Sequence, residues 1–368
     1  MTALRILIVG AGIAGLAAKK ALSRYGIDAD LVERDPKPRT TGAGLYLPGN
    51  AVRALRDLGL SEQLAERAQP VRRQELRDDQ GRVLAEFPVD AIWGDVGDCM
   101  AIRRRDLHDL LLDAVGDAAI EFDSGVRQIH RDGRVTFEDG RRSGYDLVIG
   151  ADGIFSAVRL SALPEVQPEF LGQVCWRFLA PAAALPPDTW TVLLGNRGRT
   201  FLAVPVGGGQ AYCSAAIDSA DPARPAGDWR SLFADFAEPA VDLLAHAEGA
   251  HYSPLYEVRA FEQTHPHVVL IGDAGHACSP SMSQGSAMAV EDALVLAETL
   301  ADAPDGTAVP ALLAAYRDRR ANRLRFVLEQ NHRRDQARHL PAFARRLVFR
   351  NFAEGIFRAN HKALLSRP

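Results

Sequence analysis

The stretch "RILIVGAGIAGLAAKKALSRYGIDADLVERD", residues 5 to 35, leaves the chain few ways to begin folding. Ile6 to Val9 is a continuous apolar run of the kind a strand buried on both faces requires. Gly10, Gly12 and Gly15 follow in GxGxxG spacing, then an Ala/Leu-rich segment predicts a helix over 13–25. A second apolar run, Ala29 to Val32, ends at Glu33. Gly10 permits the tight turn, Gly12 lets a pyrophosphate approach the backbone, and Gly15 lets helix pack on strand. The helix start, with Ala14 in its first turn, offers unpaired N–H groups and a partial positive charge to phosphates. Glu33 is placed to accept hydrogen bonds from a ribose, with Arg34 beside it. The pattern predicts a βαβ dinucleotide-binding unit and leaves NAD and FAD both open.

Two more loops follow apolar strands. One is "YDLVIGADGIFSAVR" from Tyr145, the other "IGDAGHACSPSMSQGSAMAVEDA" from Ile271. A simple NAD dehydrogenase would place a catalytic domain after its first unit, whereas this chain returns to nucleotide-type loops twice.

The three motifs in this order resemble the FAD-dependent aromatic hydroxylases of the para-hydroxybenzoate hydroxylase type, the group A flavoprotein monooxygenases. The resemblance runs from about Arg5 to Leu300. It implies a Rossmann-like α/β FAD-binding domain interleaved with an antiparallel-sheet substrate domain, followed by C-terminal helices. It also implies that Asp152, Gly153 and Arg159 support FAD and the approach of the nicotinamide, and that Gly272 and Asp273 meet the ribityl chain. Arg104, in "IRRRDLHDLL", falls in the slot beside the pyrophosphate, or is a solvated helix start. Arg39, Gly42 and Gly44 fall in the flavin-contacting loop, unless the glycines are plain turn residues. Trp176 and Arg177 in "VCWRFLAP", Pro205 in "AVPVGGG" and Tyr212 are candidates for the substrate pocket; core or sheet-surface roles stay open for the first two.

The chemistry asks for such residues on its own account. Hydroxyls of ribose and ribityl are well held by carboxylates, and pyrophosphate by backbone N–H groups and guanidinium. Reduced flavin is anionic, so a helix N-terminus aimed at it is stabilising. After Pro280, small residues Gly285, Ser286 and Ala287 open such a helix and let backbone come close. Asp273, His276 and Cys278 form no recognisable metal-ligand spacing, so no metal is expected and FAD is expected to be non-covalent. His276 reads as a hydrogen-bonded loop residue.

Between the motifs, "QELRDD", "TWTVLLG", "TFLAVPV" and "AYCSAAI" are short strand-like runs separated by turn residues. The expected organisation is a discontinuous FAD-binding domain at 1–68, 101–164 and 261–305, a substrate domain at 69–100 and 165–260, and a helical segment at 306–368. The formal net charge is −4, which points away from nucleic acid. From Arg317 onward, 14 Lys+Arg against 4 Asp+Glu give +10, leaving −14 for the preceding residues. Leu340, Phe343, Leu347, Phe352 and Ile356 recur there at roughly helical spacing. They are expected to dock on the acidic remainder or on a second subunit, ahead of a membrane surface. The four scattered cysteines and the lack of a leader or spanning run give the expectation of a cytoplasmic monomer or homodimer.

The resulting expectation is an NAD(P)H-dependent FAD monooxygenase. It would use O2, through a flavin C4a-hydroperoxide, to hydroxylate or epoxidise a small aromatic or polyketide-like substrate. A flavin halogenase would need a Trp-x-Trp-x-Ile-Pro segment and an active-site lysine, and no lysine lies between 38 and 361. An FAD-dependent reductase of the same fold and a non-redox FAD-binding sheltering protein remain as alternatives.

Overall fold

The structure, a computed structural model, describes residues 4–38, 42–116 and 119–368. Arg39 lies outside them.

Its first layer is a parallel sheet of four strands in the order Val268–Leu270, Leu147–Gly150, Ile6–Val9 and Asp30–Val32. The continuous apolar runs serve a sheet covered on both faces. Among the described residues the longest helices are α1 (Ile13–Arg24), α2 (Gly49–Asp57), α3 (Arg104–Val115), α4 (Gly285–Ala301), α5 (Val309–Ala337) and α6 (Ala342–His361). Leu16, Ala17, Ala21 and the apolar face of α4 close one side of this sheet in a single core.

The second layer is a seven-stranded sheet whose order is His251–Glu257, Glu169–Pro181, Gln210–Asp218, Thr200–Gly207, Thr189–Leu194, Arg73–Asp78 and Val83–Pro88. The runs "QELRDD", "TWTVLLG", "TFLAVPV" and "AYCSAAI" all lie in it. The sheet is antiparallel except where Thr189–Leu194 runs parallel to Arg73–Asp78, so it is mixed. That junction joins the strands of 69–100 to those of 165–260. One face shares the core of the parallel sheet, through Trp190, Val204 and Val206, and the other covers a separate core of Phe201, Phe233, Trp176 and Trp229.

The C-terminal segment does not dock its apolar stripe on the rest of the chain, one of the two partners expected for it. Leu340, Phe343, Leu347, Phe352 and Ile356 are all exposed, Phe343 at 78%. The docked face of α6 instead carries Arg345, Ala353, Phe357 and His361. The cause is the turn before α6, fixed by guanidinium groups. Arg338 reaches Gln173 and the Gly198 carbonyl, and Arg345 donates to the Gly195 carbonyl at 2.5 Å. These bonds tie the start of α6 to the sheet and set its rotation against the apolar pattern.

Candidate functional site: a flavin cradle

The three glycine loops meet at one place. A Cβ on Gly15 would lie 1.8 Å from the Gly10 carbonyl oxygen, and one on Gly10, which has φ +104°, would lie 2.7 Å from the Ala151 oxygen. A Cβ on Gly272 would come within 2.8 Å of Ala14. The first motif therefore touches both others through positions that tolerate no side chain. Gly12 is different, since a Cβ there meets nothing within 4 Å. It precedes α1 with no side-chain cap, so the helix presents unpaired N–H groups to open space.

Glu33 ends its strand beside that turn, with Oε2 accepting from the Ala11 N–H at 2.8 Å. Arg34 is exposed. Across the turn, Arg104 opens α3, and its exposed guanidinium makes no hydrogen bond among the described residues. The side chain lies so close to Gly42 that a Cβ there would meet it at 2.5 Å. An exposed cation, an uncapped helix start and an acceptor carboxylate thus surround one space.

The third loop makes the opposite wall. Gly272, at φ +57°, starts a short turn in which Asp273 is exposed. A Cβ on Gly285 would meet only the Asp273 carboxylate, at 4.0 Å. Helix α4 begins here after Gln284 with no side-chain cap. Ser286 keeps accessible surface while Ala287 is buried beneath it, and Pro280 is exposed on the approach. The loop is pinned from behind, because Asn331 accepts from the Met282 N–H at 2.8 Å and Asp335 receives the Ser281 hydroxyl at 2.5 Å.

Behind α4 lies a network that sequence reasoning missed. His276 Nε2 lies 2.5 Å from Asp292 Oδ2, which also accepts from the Gly272 N–H at 3.0 Å. Arg320 bridges Asp292 at 2.8 Å and Glu291 at 2.9 Å, and Arg323 clamps Glu291 at 2.6 and 2.7 Å. Asn50 of α2 reaches both Glu291 and Gln284. Burial alone would raise the Asp292 carboxyl, but His276 and Arg320 hold it down at about 2. Glu291 is lowered in the same way, with Arg320 and Arg323 overcoming burial. His276 is thus a structural hydrogen-bonded residue in this fold. Burial raises the Cys278 thiol, which disfavours the thiolate a covalent link would need. The available signal was two adjacent acids on an otherwise apolar helix, which require buried cations.

Several predicted contacts are corrected. Asp152 caps the short helix Ala157–Ala162, accepting from Ser156 Oγ at 2.5 Å and the Ala157 N–H at 2.7 Å. Burial raises its carboxyl. Arg159 is wholly buried, with its guanidinium on the carbonyls of Ala274, Ile154 and Val166. It braces the second motif against the third and has no surface to offer a cofactor. Gly153, at φ +81°, leaves open space. Trp176 is fully buried and stacks on Trp229 at 4.7 Å, so it belongs to the core on the far face of the sheet. Strand alternation puts Pro205 on that face too, between Val204 and Val206 on the near one.

Arg177 and Tyr212 are brought together on the near face. Both lie deep in the molecule yet keep accessible surface, so they line an internal recess. Burial pulls the Arg177 guanidinium down, but Cys175, Tyr212 and Asp273 together raise it. A Cβ on Gly44 would meet Tyr212 at 2.3 Å, which connects the flavin-side loop to this wall.

An uncapped helix start with open space before it, a second uncapped start beside an exposed carboxylate, and an arginine without a hydrogen bond among the described residues fit an extended dinucleotide with a ribityl chain. Comparison with known proteins agrees. The family model described as "FAD binding domain" matches residues 3–331. The chain is 33% identical over 345 residues to the aurachin C monooxygenase/isomerase of Stigmatella aurantiaca, covering 88% of this chain and 86% of that one. It is 32% identical over 343 residues to the 2-heptyl-3-hydroxy-4(1H)-quinolone synthase of Pseudomonas aeruginosa, covering 89% and 87%. The structure of Klebsiella pneumoniae HpxO complexed with FAD and uric acid superposes with a TM-score of 0.89 at 28% identity, covering 99% of this chain and 97% of that one. The chain belongs to the FAD-binding-domain family and is a flavoprotein of the FAD-dependent monooxygenase type.

Proposed function

We propose that this protein takes electrons from NAD(P)H and inserts one atom of O2 into a small aromatic or heteroaromatic substrate held against Arg177 and Tyr212. The observation that carries this is the recess itself. Two deep polar side chains with accessible surface face the loop of Asp273 and Gly285, where the redox ring of an FAD would lie.

FAD supplies hydride acceptance and oxygen activation when bound. The rest falls to this chain's own residues. The N-termini of α1 and α4 stabilise negative charge on phosphate and on reduced flavin respectively. Arg104 neutralises pyrophosphate, while Glu33 and Asp273 accept from ribose and ribityl hydroxyls. The sheet above the recess excludes bulk water from the reacting atoms. Arg177 and Tyr212 present N–H and O–H donors to an oxygen on the substrate ring, which orients it and favours its ionised, electron-rich form.

The segments 1–68, 101–164 and 261–305 act in this reading as one FAD-binding unit and 69–100 with 165–260 as the substrate-covering unit. Of monomer and homodimer, the exposed apolar side chains of α6 favour the second, and solution mass decides it. A cytoplasmic location accords with the sequence expectation; none of the described helices is long and apolar enough to cross a membrane.

The test uses FAD-loaded protein and a panel containing urate, aminohydroxybenzoates and alkylated quinolones, run with and without oxygen. NAD(P)H consumption matched by O2 uptake and stimulated by one panel member is expected. Product formation under strict anaerobiosis would instead make the protein a reductase of the same fold.

A further inference from the structure

Beyond Tyr212, the same sheet face carries a closed ring of side chains in which the polar atoms of Trp190 and Gln74 lack partners among the described residues. The Tyr46 ring lies 4.5 Å from that of Trp190. Trp190 and Gln74 are cross-strand neighbours, as are Gln74 and Phe87. The Phe87 ring is 5.2 Å from Phe357, whose ring centre is 6.0 Å from the Arg334 guanidinium. Arg334 in turn acts electrostatically on Tyr46, which closes the circuit.

Among the described residues, the Trp190 indole nitrogen and both amide atoms of Gln74 are buried without a hydrogen bond, while the Tyr46 hydroxyl is engaged with the Cys99 thiol. Arg334 has, among the described residues, no carboxylate at ion-pair distance, and its one hydrogen-bond contact there is the Met282 sulfur at 3.7 Å. Burial lowers its guanidinium to about 10, so it remains cationic at neutral pH. A half-buried cation without a carboxylate partner and two unsatisfied side chains each cost free energy unless a partner arrives. Arg334 nonetheless keeps accessible surface, as do Val192 and Leu76, the next residues along this sheet face. Met282 ties Arg334 to the loop of Pro280 and Gly285, on the flavin side.

We propose that this ring is a substrate subsite for an anionic oxygen on a planar aromatic molecule, a carboxylate or an ionised ring hydroxyl, and that Arg334 sets the preference for it. Tyr46, Trp190 and the Gln74 amide add neutral donors, and the aromatic walls accept the ring. That the ligand is the substrate rests on the monooxygenase reading; the binding chemistry does not.

The test measures binding to FAD-loaded protein by equilibrium dialysis without NAD(P)H, and oxygen uptake separately. The probes are 6-hydroxy-2-naphthoate against its methyl ester, and 7-hydroxycoumarin below and above its own pKa. The first pair reads a carboxylate, the second an ionised hydroxyl. Wild type is expected to hold the charged form of at least one pair roughly ten- to a hundredfold more tightly than the neutral form. Arg334→Met should remove that preference while neutral-form binding is kept, and Arg334→Lys should restore part of it. Gln74→Leu, which keeps the cation, should weaken the charged form by less. Equal binding of charged and neutral forms in both pairs, or equal weakening of both by Arg334→Met and Arg334→Lys, overturns the subsite. A charge preference without any substrate-stimulated oxygen uptake keeps the subsite and removes the monooxygenase reading.

Discussion

The turn at Gly10–Gly15 and the loop at Gly272–Ala287 face each other across one space, yet they are held by different means. The first is held by sterics within a few residues and one neighbouring strand, because Gly10 and Gly15 admit no Cβ. The second is held by groups far along the chain: Asp292 and Glu291 on α4, and Arg320, Arg323, Asn331 and Asp335 on α5. A flavin cradle can therefore be damaged locally at one wall, and from a helix far along the chain at the other.

The largest effect is expected at the remote wall. Arg320→Met leaves two buried carboxylates without their shared cation and should cost about 3–5 kcal/mol in denaturant unfolding. A loss within the range of an ordinary surface substitution would show that the second wall is not held from α5.

Acid probes the same wall. The Asp292 carboxyl sits at about 2 in the folded protein, below the ~3.9 of an unfolded aspartate. Its contribution, about 2–3 kcal/mol, is full above ~pH 4 and is lost as pH falls through ~2. Unfolding free energy measured across that window should show the loss in wild type. In Arg320→Met the loss should be smaller and should be complete at a higher pH, since one of the charges that lowers the carboxyl is gone.

The local wall gives smaller, sharper contrasts. Gly15→Ala drives a methyl into the Gly10 carbonyl and should cost about 1–3 kcal/mol, with bound flavin lost. Gly12→Ala meets no protein atom and should melt like wild-type apoprotein while binding FAD less tightly. If both substitutions lower apoprotein melting equally, the open space before α1 is misassigned. The smallest effect on folding belongs to Asp273→Ala. It should leave apoprotein stability unchanged and weaken FAD roughly ten- to a hundredfold, the value of one hydrogen bond to a charged group, as read by flavin fluorescence titration.

The same contrast explains what the sequence makes legible. Gly10, Gly12, Gly15 and Glu33 are readable because a short run of residues fixes both the turn and its reason. The strands of the second layer are readable from their turn-bounded runs, but not the parallel junction at Thr189–Leu194, which depends on a distant segment. Arg159 and Asp152 stand in a recognisable motif, yet their side chains turn inward to carbonyls and a helix cap, an orientation that spacing does not encode. Trp176 beside Arg177 shows the limit of a dipeptide on a strand, since adjacent residues point to opposite faces. On α6 the apolar spacing does not mark the face docked on the chain, because Arg338 and Arg345 set the helix rotation. Arg334 could not be singled out from a run of arginines without knowing which one lacks a partner.

The central claim is that these walls hold FAD so that oxygen is transferred to a ring beside Arg177 and Tyr212. The most direct measurement is turnover of the FAD-loaded protein under 18O2 with NAD(P)H and the panel member that stimulates flavin reduction, followed by mass spectrometry of the product. One 18O atom per product molecule is predicted, with incorporation falling sharply in Arg177→Met. Product carrying oxygen only from water, or NAD(P)H oxidation whose oxygen ends entirely in hydrogen peroxide for every panel member, would contradict the account.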